Sequence, residues 1–320
     1  MKSIVIFGGA GFVGRHIIRR LAKKGYKIIV PYQKSTNEAK LRLLGNIGQI
    51  IPYKFRNLDD ELILNILKNI DICVNLKTSW SSKKISFNKS IYEFNKELLK
   101  IIKKNKKVNQ FIYFSGLGVD QSHKSLRIKA IYETEKYISS NFNNSVIIRP
   151  GVIIGRDDNF LSKLIPIFKM SFFIPIFGNG TSKLQPVYID DVSLATEKIV
   201  LNRLKGNHIF ELTGSKIIDY RQLYNFIVKS MNKKRLIVSI PMSVVKILVL
   251  LGGTATKALL LLDEGIMKSR GKWHKYSSYG LANPILTRAI FHPAFLLRSP
   301  SYKKLAWEDL KEIEKKLNDN

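Results

Sequence analysis

Three groups of residues in this sequence have types and spacing that could carry chemistry. Gly8, Gly11 and Gly14 recur at three-residue intervals in GGAGFVG. Tyr132 and Lys136 stand four residues apart. Ser115 closes the apolar run QFIYFS. A glycine triplet lets the backbone turn sharply and come close to a polyanion. An ammonium one helical turn from a phenol lowers the phenol pKa, so the tyrosine can pass a proton to or from an oxygen. A nearby serine hydroxyl can hold that oxygen. Each group also has a plain reading: a turn, a solvated helix face, a capping serine.

The elements that must position these residues can be read from periodicity. Residues 3–7, SIVIF, form an apolar β-branched run, the mark of a strand buried on both faces. After the glycines, Ile17, Ile18 and Leu21 recur at helical spacing from Arg15 to Lys24. Gly25 ends that helix, and Tyr26–Tyr32 reads as the next strand. Strands follow at 49–53, 70–76, 110–115 and 145–149, alternating with helices at 60–68, 93–104 and about 129–140. Such alternation predicts an α/β fold with a Rossmann-type doubly wound parallel sheet and a ligand at the carboxyl ends of its strands. After Pro150 the pattern loosens: helices are expected at 160–170, 190–202 and 220–231, a loop at 178–181 and a strand at 208–212. We expect a dinucleotide-binding domain over 1–240 and a small, mostly helical C-terminal region over 241–320.

The context gives the glycines their meaning. They follow a strand and open a helix within a βαβ unit, which is the setting of a dinucleotide-binding loop. Gly8 serves the exit from the strand, Gly11 the approach of the pyrophosphate, and Gly14 the packing of helix on strand. Ala10, Phe12 and Val13 belong to the same loop. Sites for NAD(H) usually carry an acid at the end of the second strand, for the ribose 2′-hydroxyl. Here Tyr32, Gln33, Lys34 and Ser35 stand there, and Lys34 can meet a 2′-phosphate, so NADP(H) is expected over NAD(H).

The composition is globular, with 45% hydrophobic and 24% charged residues, which argues against disorder. The single cysteine, Cys73, excludes an intrachain disulfide framework and suits a reducing compartment. A net charge of +30 favours anionic partners, although much of it is spread through a chain rich in Lys, Ile and Asn. Lys2 precedes an apolar run too short for a secretory signal, so the fold is expected to begin at residue 1. The five histidines lack metal-type spacing, and neither a G-x-S-x-G elbow nor a P-loop lysine occurs. Loop and helix-start roles account for the acid pairs Asp157-Asp158 and Asp190-Asp191.

GGAGFVGRHIIRRLAKKGY resembles the atypical short-chain dehydrogenases. LRLLGNIGQI at 41–50, Asn57-Leu58, VNL at 74–76, RPGVIIGRDDNF at 149–160 and LQPVYIDDV at 184–192 are similar to one branch of them. That branch is the dehydrogenase-like accessory subunit of respiratory complex I and its bacterial relatives, and the resemblance runs over about residues 1–230. It implies a nucleotide held chiefly for structure. It assigns Gly8, Gly11, Phe12, Val13 and Gly14 to the pyrophosphate, Asn57 to the adenine side, Leu76 to the cofactor's flank, and Lys129 to the nicotinamide ribose. Pro150, at the end of its strand, joins these candidates. KAIYE at 129–133 matches the family's lysine segment, which puts Ser125 where an active member has its tyrosine. The alternative register keeps Tyr132 with Lys136. Arg149 follows Lys129 by 20 residues and Lys136 by only 13, and a helix plus a connecting loop fits the longer gap better. A site with its lysine and without its tyrosine is therefore expected. Lys129, Ser115 and Tyr132 remain the residues on which any catalysis would rest.

Residues 244–262 are strongly apolar but are interrupted by Lys246, Lys257 and Gly252-Gly253, so a helix pair on the core or in a membrane interface fits better than a span. Residues 265–307 contain no Asp or Glu, and lysines and arginines alternate there with aromatics such as Trp273, Tyr276, Tyr302 and Trp307. That mixture suits an acidic partner or anionic lipid; nucleic acid ranks last, because no nucleic-acid-binding motif accompanies it. The leading expectation is a NADP(H)-binding, non-catalytic accessory or assembly subunit of complex I. It would be cytoplasmic, peripheral on the cytoplasmic face of the inner membrane, or on the matrix side in a mitochondrion. The alternatives are an NADP-dependent reductase or epimerase/dehydratase on a carbonyl or sugar-nucleotide substrate, and a redox-sensing regulator.

Overall fold

The structure, a computed structural model, describes residues 2–33, 37–82, 85–104, 107–240, 270–276, 285–288 and 300–318. The chain falls into two compact units, residues 1–160 with 185–217, and 161–184 with 218–320. The boundary expected at residue 240 is a boundary of composition. The apolar segment 244–262, most of the acid-free stretch 265–307 and Lys34 lie outside the described residues.

The first unit is built on seven parallel strands: β1 (Ser3–Phe7), β2 (Lys27–Tyr32), β3 (Ile50–Lys54), β4 (Ile72–Asn75), β5 (Gln110–Phe114), β6 (Ser145–Pro150) and, after four intervening strands, β11 (His208–Leu212). Their order is β11-β6-β5-β4-β1-β2-β3, so the sheet winds outward in both directions from β1 and β4. The expected α/β architecture is what the chain adopts. The strands are nearly all apolar because helices cover both faces. Val5 and Phe7 point into one core with Phe111 and Ile147, and Ile4 and Ile6 point into the other with Ile28 and Ile148. α3 (Glu61–Lys68), α4 (Phe94–Lys104) and α5 (Leu126–Asn141) close the first core; α1 (Phe12–Lys23) and α7 (Ile189–Asn202) close the second. α1 buries Ile17, Ile18 and Leu21, and the chain leaves it through Gly25 at φ +79°. Cys73 is buried in β4, and burial pushes its thiol pKa well up.

Several elements differ from the periodicity reading. A five-residue helix, α2 (Glu38–Arg42), is capped by the Asn37 side chain accepting from the Lys40 amide. One π turn, Asn88–Glu93, leads into α4. α5 begins at Leu126, a turn earlier than expected, with Ser125 as its N-cap. The short strands β7 (Ile153–Ile154) and β10 (Val187–Tyr188) pair with each other in the first unit.

In the second unit α6 (Leu161–Met170) precedes β8 (Phe173–Phe177), which pairs in parallel with β13 (Leu236–Ile240). β9 (Lys183–Leu184) pairs with β12 (Ile218–Asp219), and Asp219 and Gln222 form a capping box at the start of α8 (Tyr220–Ser230). After residue 240 the described residues contain an antiparallel pair, β14 (Trp273–Tyr276) with β15 (Ile285–Arg288), and a helix, α9 (Lys303–Asn318). The Arg270 guanidinium donates to the buried Asp309 carboxylate of α9 at 3.0 Å. Among the described residues no helix is long and apolar enough to cross a membrane.

Candidate dinucleotide site

The site expected from the sequence lies wholly in the first unit, where the carboxyl ends of β1 to β6 meet the start of α1. Gly8 adopts φ +76°, and a Cβ there would lie 3.0 Å from the Leu76 carbonyl carbon and 3.1 Å from the Lys77 nitrogen. Only glycine meets both demands without strain. The Gly11 amide then closes a turn on the Gly8 carbonyl at 3.0 Å. At Gly14 a Cβ would lie 2.4 Å from the Gly9 Cα, so α1 packs directly on the loop backbone.

The N-terminus of α1 suits an anion. Its N-cap, Gly11, offers no side chain to satisfy the leading amides, and the first turn has no acid. Those amides and the positive end of the helix dipole face outward with no internal competitor. A Cβ at Gly11 would meet only the Gly8 carbonyl, at 3.2 Å, so the room above it is open for a phosphate. Phe12 and Val13 anchor the helix start by packing, with Phe12 buried and Val13 against the second core. The Ala10 carbonyl accepts from Arg15 at 3.2 Å. These residues fit a dinucleotide: amides for the pyrophosphate, and Leu76, packed at the end of β4, for the cofactor's flank. When bound, such a cofactor supplies hydride chemistry.

Asn57, expected at the adenine side, is exposed in the loop after β3, and Leu58 beside it is buried. The Gln33 side-chain amide donates to the Arg56 carbonyl at 2.8 Å, tying the loops after β2 and β3 together. A carboxylate does stand near the end of β2, contrary to the view from residues 32–35 alone. Glu38, at the start of α2, accepts a hydrogen bond from the Tyr32 hydroxyl and pairs with Arg42 at 3.2 Å. Its bond to Tyr32 holds its pKa below the usual carboxylate range and raises that of the phenol. The motif that could have revealed it is Asn-Glu-x-x-x-Arg, a capped turn with an i,i+4 ion pair.

Of the candidates expected at the nicotinamide side, the structure brings some together and separates others. Lys129 is exposed in the first turn of α5, where that helix leaves the carboxyl edge of the sheet. Lys136 lies about 10 Å farther along the axis, at ~1.5 Å per residue. Ser125 is a non-helical cap with no side-chain capping bond. The Tyr132 ring packs against the first core, and its hydroxyl reaches Gln121 at 3.2 Å. Pro150 ends β6, and its carbonyl accepts from the Leu117 amide at 3.0 Å. The Ser115 amide is tied to Ile148, and its hydroxyl donates to Glu135 of α5. Glu135 is buried and is gripped by Arg149 through two bonds of 3.0 and 2.6 Å. Arg149 in turn reaches Glu211 at 3.5 Å. Sequence reasoning missed this chain because Ser115 follows β5, while Glu135, Arg149 and Glu211 come from α5, β6 and β11, and the four meet only when the sheet closes.

Comparison with known proteins bears on the family and the fold. The model of the NAD dependent epimerase/dehydratase family matches residues 4–212. A mitochondrial protein of Arabidopsis thaliana, NADH dehydrogenase [ubiquinone] 1 alpha subcomplex subunit 9, is 30% identical over 192 residues, 59% of this chain and 48% of its own length. The mitochondrial NADH-ubiquinone oxidoreductase 40 kDa subunit of Neurospora crassa is 26% identical over 80% of this chain and 67% of its own. This chain thus spans about half the length of the first relative and two thirds of the second. Among solved structures, a dTDP-glucose 4,6-dehydratase of Streptomyces venezuelae with NAD bound superposes with a TM-score of 0.64 at 16% identity, covering 74% of this chain and 84% of that one. The likeness to that enzyme is one of fold.

Proposed function

The chain belongs to the NAD dependent epimerase/dehydratase family, and from that premise we propose that it is a NADP(H)-binding, non-catalytic accessory or assembly subunit of respiratory complex I. The observation that carries this reading is an intact phosphate cradle beside an edge that offers a serine cap where proton transfer needs a phenol. Two further features support it. The Ser115 hydroxyl is directed to Glu135 and is not available to hold a substrate oxygen. Relatives to which this chain is similar over 59% and 80% of its length are named as subunits of NADH dehydrogenase or NADH-ubiquinone oxidoreductase.

In this reading the α1 amides take the pyrophosphate, Asn57 and Leu76 flank the adenine half and the middle of the cofactor, and Lys129 holds the nicotinamide ribose. Lys34 meets the 2′-phosphate, while Glu38 is already engaged by Tyr32 and Arg42. The subunit sits peripherally on the membrane at the cytoplasmic face, or the matrix face in a mitochondrion. Its basic, aromatic C-terminal residues meet the other subunits or anionic lipid headgroups.

The test is to solubilise native membranes gently, separate the complexes by size and probe for this chain. Co-migration with complex I, with NADPH released on denaturation, is expected. Migration as a small soluble species would remove the subunit reading. Release of NADH instead of NADPH would reverse the cofactor preference.

A second reading, a reductase or epimerase, rests on the Tyr132 hydroxyl, which comes from the same helix as Lys129 and ends at Gln121 of the preceding loop. It predicts steady NADPH oxidation with a carbonyl substrate, lost in Tyr132→Phe. We expect no such turnover, and a measured rate that depends on Tyr132 would establish the enzyme instead.

A further inference from the structure

The segment after β4 holds a cation that the site described above does not use. Lys77 follows Leu76 directly, and its backbone nitrogen lies against the first glycine of the loop. Its position is built from within. The Lys77 amide donates to the Asn75 side chain at 2.9 Å, and the buried Asn75 donates to the buried Asn95 of α4 at 2.6 Å. Asn95 is held by the Ile91 carbonyl at 2.8 Å. The side chain is half-buried, with its ammonium 3.5 Å over the ring of Phe94, and that ring meets Phe7, the last residue before Gly8, edge to face.

Neither ordinary explanation of a lysine fits this one. A solvated surface lysine keeps its head in water, whereas burial here lowers the pKa to about 8. A structural buried lysine has a carboxylate beside it; among the described residues none pairs with Lys77. Of the charged groups on the neighbouring elements, several have other partners or are themselves cationic, and Glu97 of α4 and Glu133 of α5 are exposed to solvent. Glu93 of the π turn and Lys96 of α4 pair with each other at 4.0 Å. Arg127 of α5 stacks on Trp80 at 3.9 Å and donates to the Ser79 carbonyl at 2.8 Å. Lys129 of α5 and Arg15 of α1 add two more positive charges. An aromatic face attracts a cation but does not neutralise it. The edge beside the glycine loop is thus missing a negative charge.

Resting on the reading that this chain holds a dinucleotide, we infer that Lys77 is a ligand of the cofactor's diphosphate, supplied from β4 in addition to the α1 amides. The ammonium rests on Phe94 in the free protein and gains its counter-ion when the nucleotide enters. Binding then restores the charge that burial disfavours, so affinity falls as pH rises through about 8 and the free lysine loses its proton.

The experiment titrates the full chain, freed of nucleotide, with NADPH and with ADP-ribose at pH 7 and pH 9. Wild type, Lys77→Met and Lys77→Arg are compared by calorimetry, with a melting curve for each. Lys77→Met is expected to melt no lower than wild type, because it removes a half-buried charge. It should bind both ligands about tenfold more weakly at pH 7, the worth of a charge-assisted hydrogen bond. Wild type should weaken between pH 7 and pH 9, while Lys77→Arg, charged throughout, should not. Unchanged affinity in Lys77→Met overturns the inference, as does a loss seen with NADPH and absent with ADP-ribose, which would move the contact to the nicotinamide half. Wild type that binds neither ligand would refute the dinucleotide reading itself, a result distinct from either of these.

Discussion

Gly14→Ala is expected to abolish measurable NADPH binding and to lower the stability of the first unit by about 2–3 kcal/mol. Two effects oppose each other. Alanine is the better helix former, by about 1 kcal/mol. Its methyl, however, would lie 2.4 Å from the Gly9 Cα, 2.5 Å from the Gly9 oxygen and 2.6 Å from the Gly9 carbonyl carbon. These are backbone atoms, and Gly9 has little room to retreat, because even a Cβ built on it would lie 2.9 Å from the Val30 side chain and 3.0 Å from the Ile6 carbonyl. The helix must therefore move away from the loop and take Ile17, Ile18 and Leu21 out of register with the sheet. Steric overlap outweighs propensity, and the leading amides lose their place over the phosphates. Gly25→Ala is the control: it also lies in the first unit, at φ +79°, with nothing within 4 Å of an added Cβ. It should cost about 1 kcal/mol through backbone strain and leave NADPH binding intact. Urea midpoints with calorimetric titration would settle the pair. A Gly14→Ala protein as stable as wild type and fully able to bind would show that the loop and helix do not pack as described.

The same contrast shows how far the sequence could be read. The apolar β-branched runs and the glycine triplet were legible because each is a local pattern with a local cause: strands covered on both faces, and a turn that only glycine can make. The ends of elements were less so. Ser125 reads as a residue before a helix at 129, whereas the chain starts α5 at Leu126. The second unit was the least legible. FIPIF at 173–177 has no clean alternation, and its partner LIVSI lies some sixty residues on; parallel pairing over that distance leaves no periodic mark. In the site, Gly8, Gly11 and Gly14 could be found by spacing. Glu38 lies outside the four positions where an acid is usually sought, and Lys77 reads as the tail of a strand. Ser115 looks like a residue facing the cofactor until α5 is packed on β5, when Glu135 takes its hydroxyl.

That Glu135 network carries the other large expected effect. Arg149→Met should destabilise the first unit by about 3–5 kcal/mol, the cost of leaving a buried charge without its partner. Glu135 is only 4% exposed, and apart from the Ser115 hydroxyl its carboxylate depends on the two bonds from Arg149. The bond to Glu135 is the main reason the guanidinium is held charged above its ordinary pKa. The contact of Arg149 with Glu211 should matter little, because Glu211 is largely exposed and water screens the pair. Removing both charges is a different experiment. In Glu135→Leu with Arg149→Met no ion is left stranded, and a buried pair replaced by apolar groups is often neutral or better. The double variant should regain most of what Arg149→Met loses, although Ser115 then needs a new acceptor. Glu211→Gln should stay within about 0.5 kcal/mol of wild type. Urea unfolding followed through Trp80, the one tryptophan of the first unit, reads all three variants. If Arg149→Met proved as stable as wild type, or the double variant fell further than the single one, the carboxylate would not depend on this arginine.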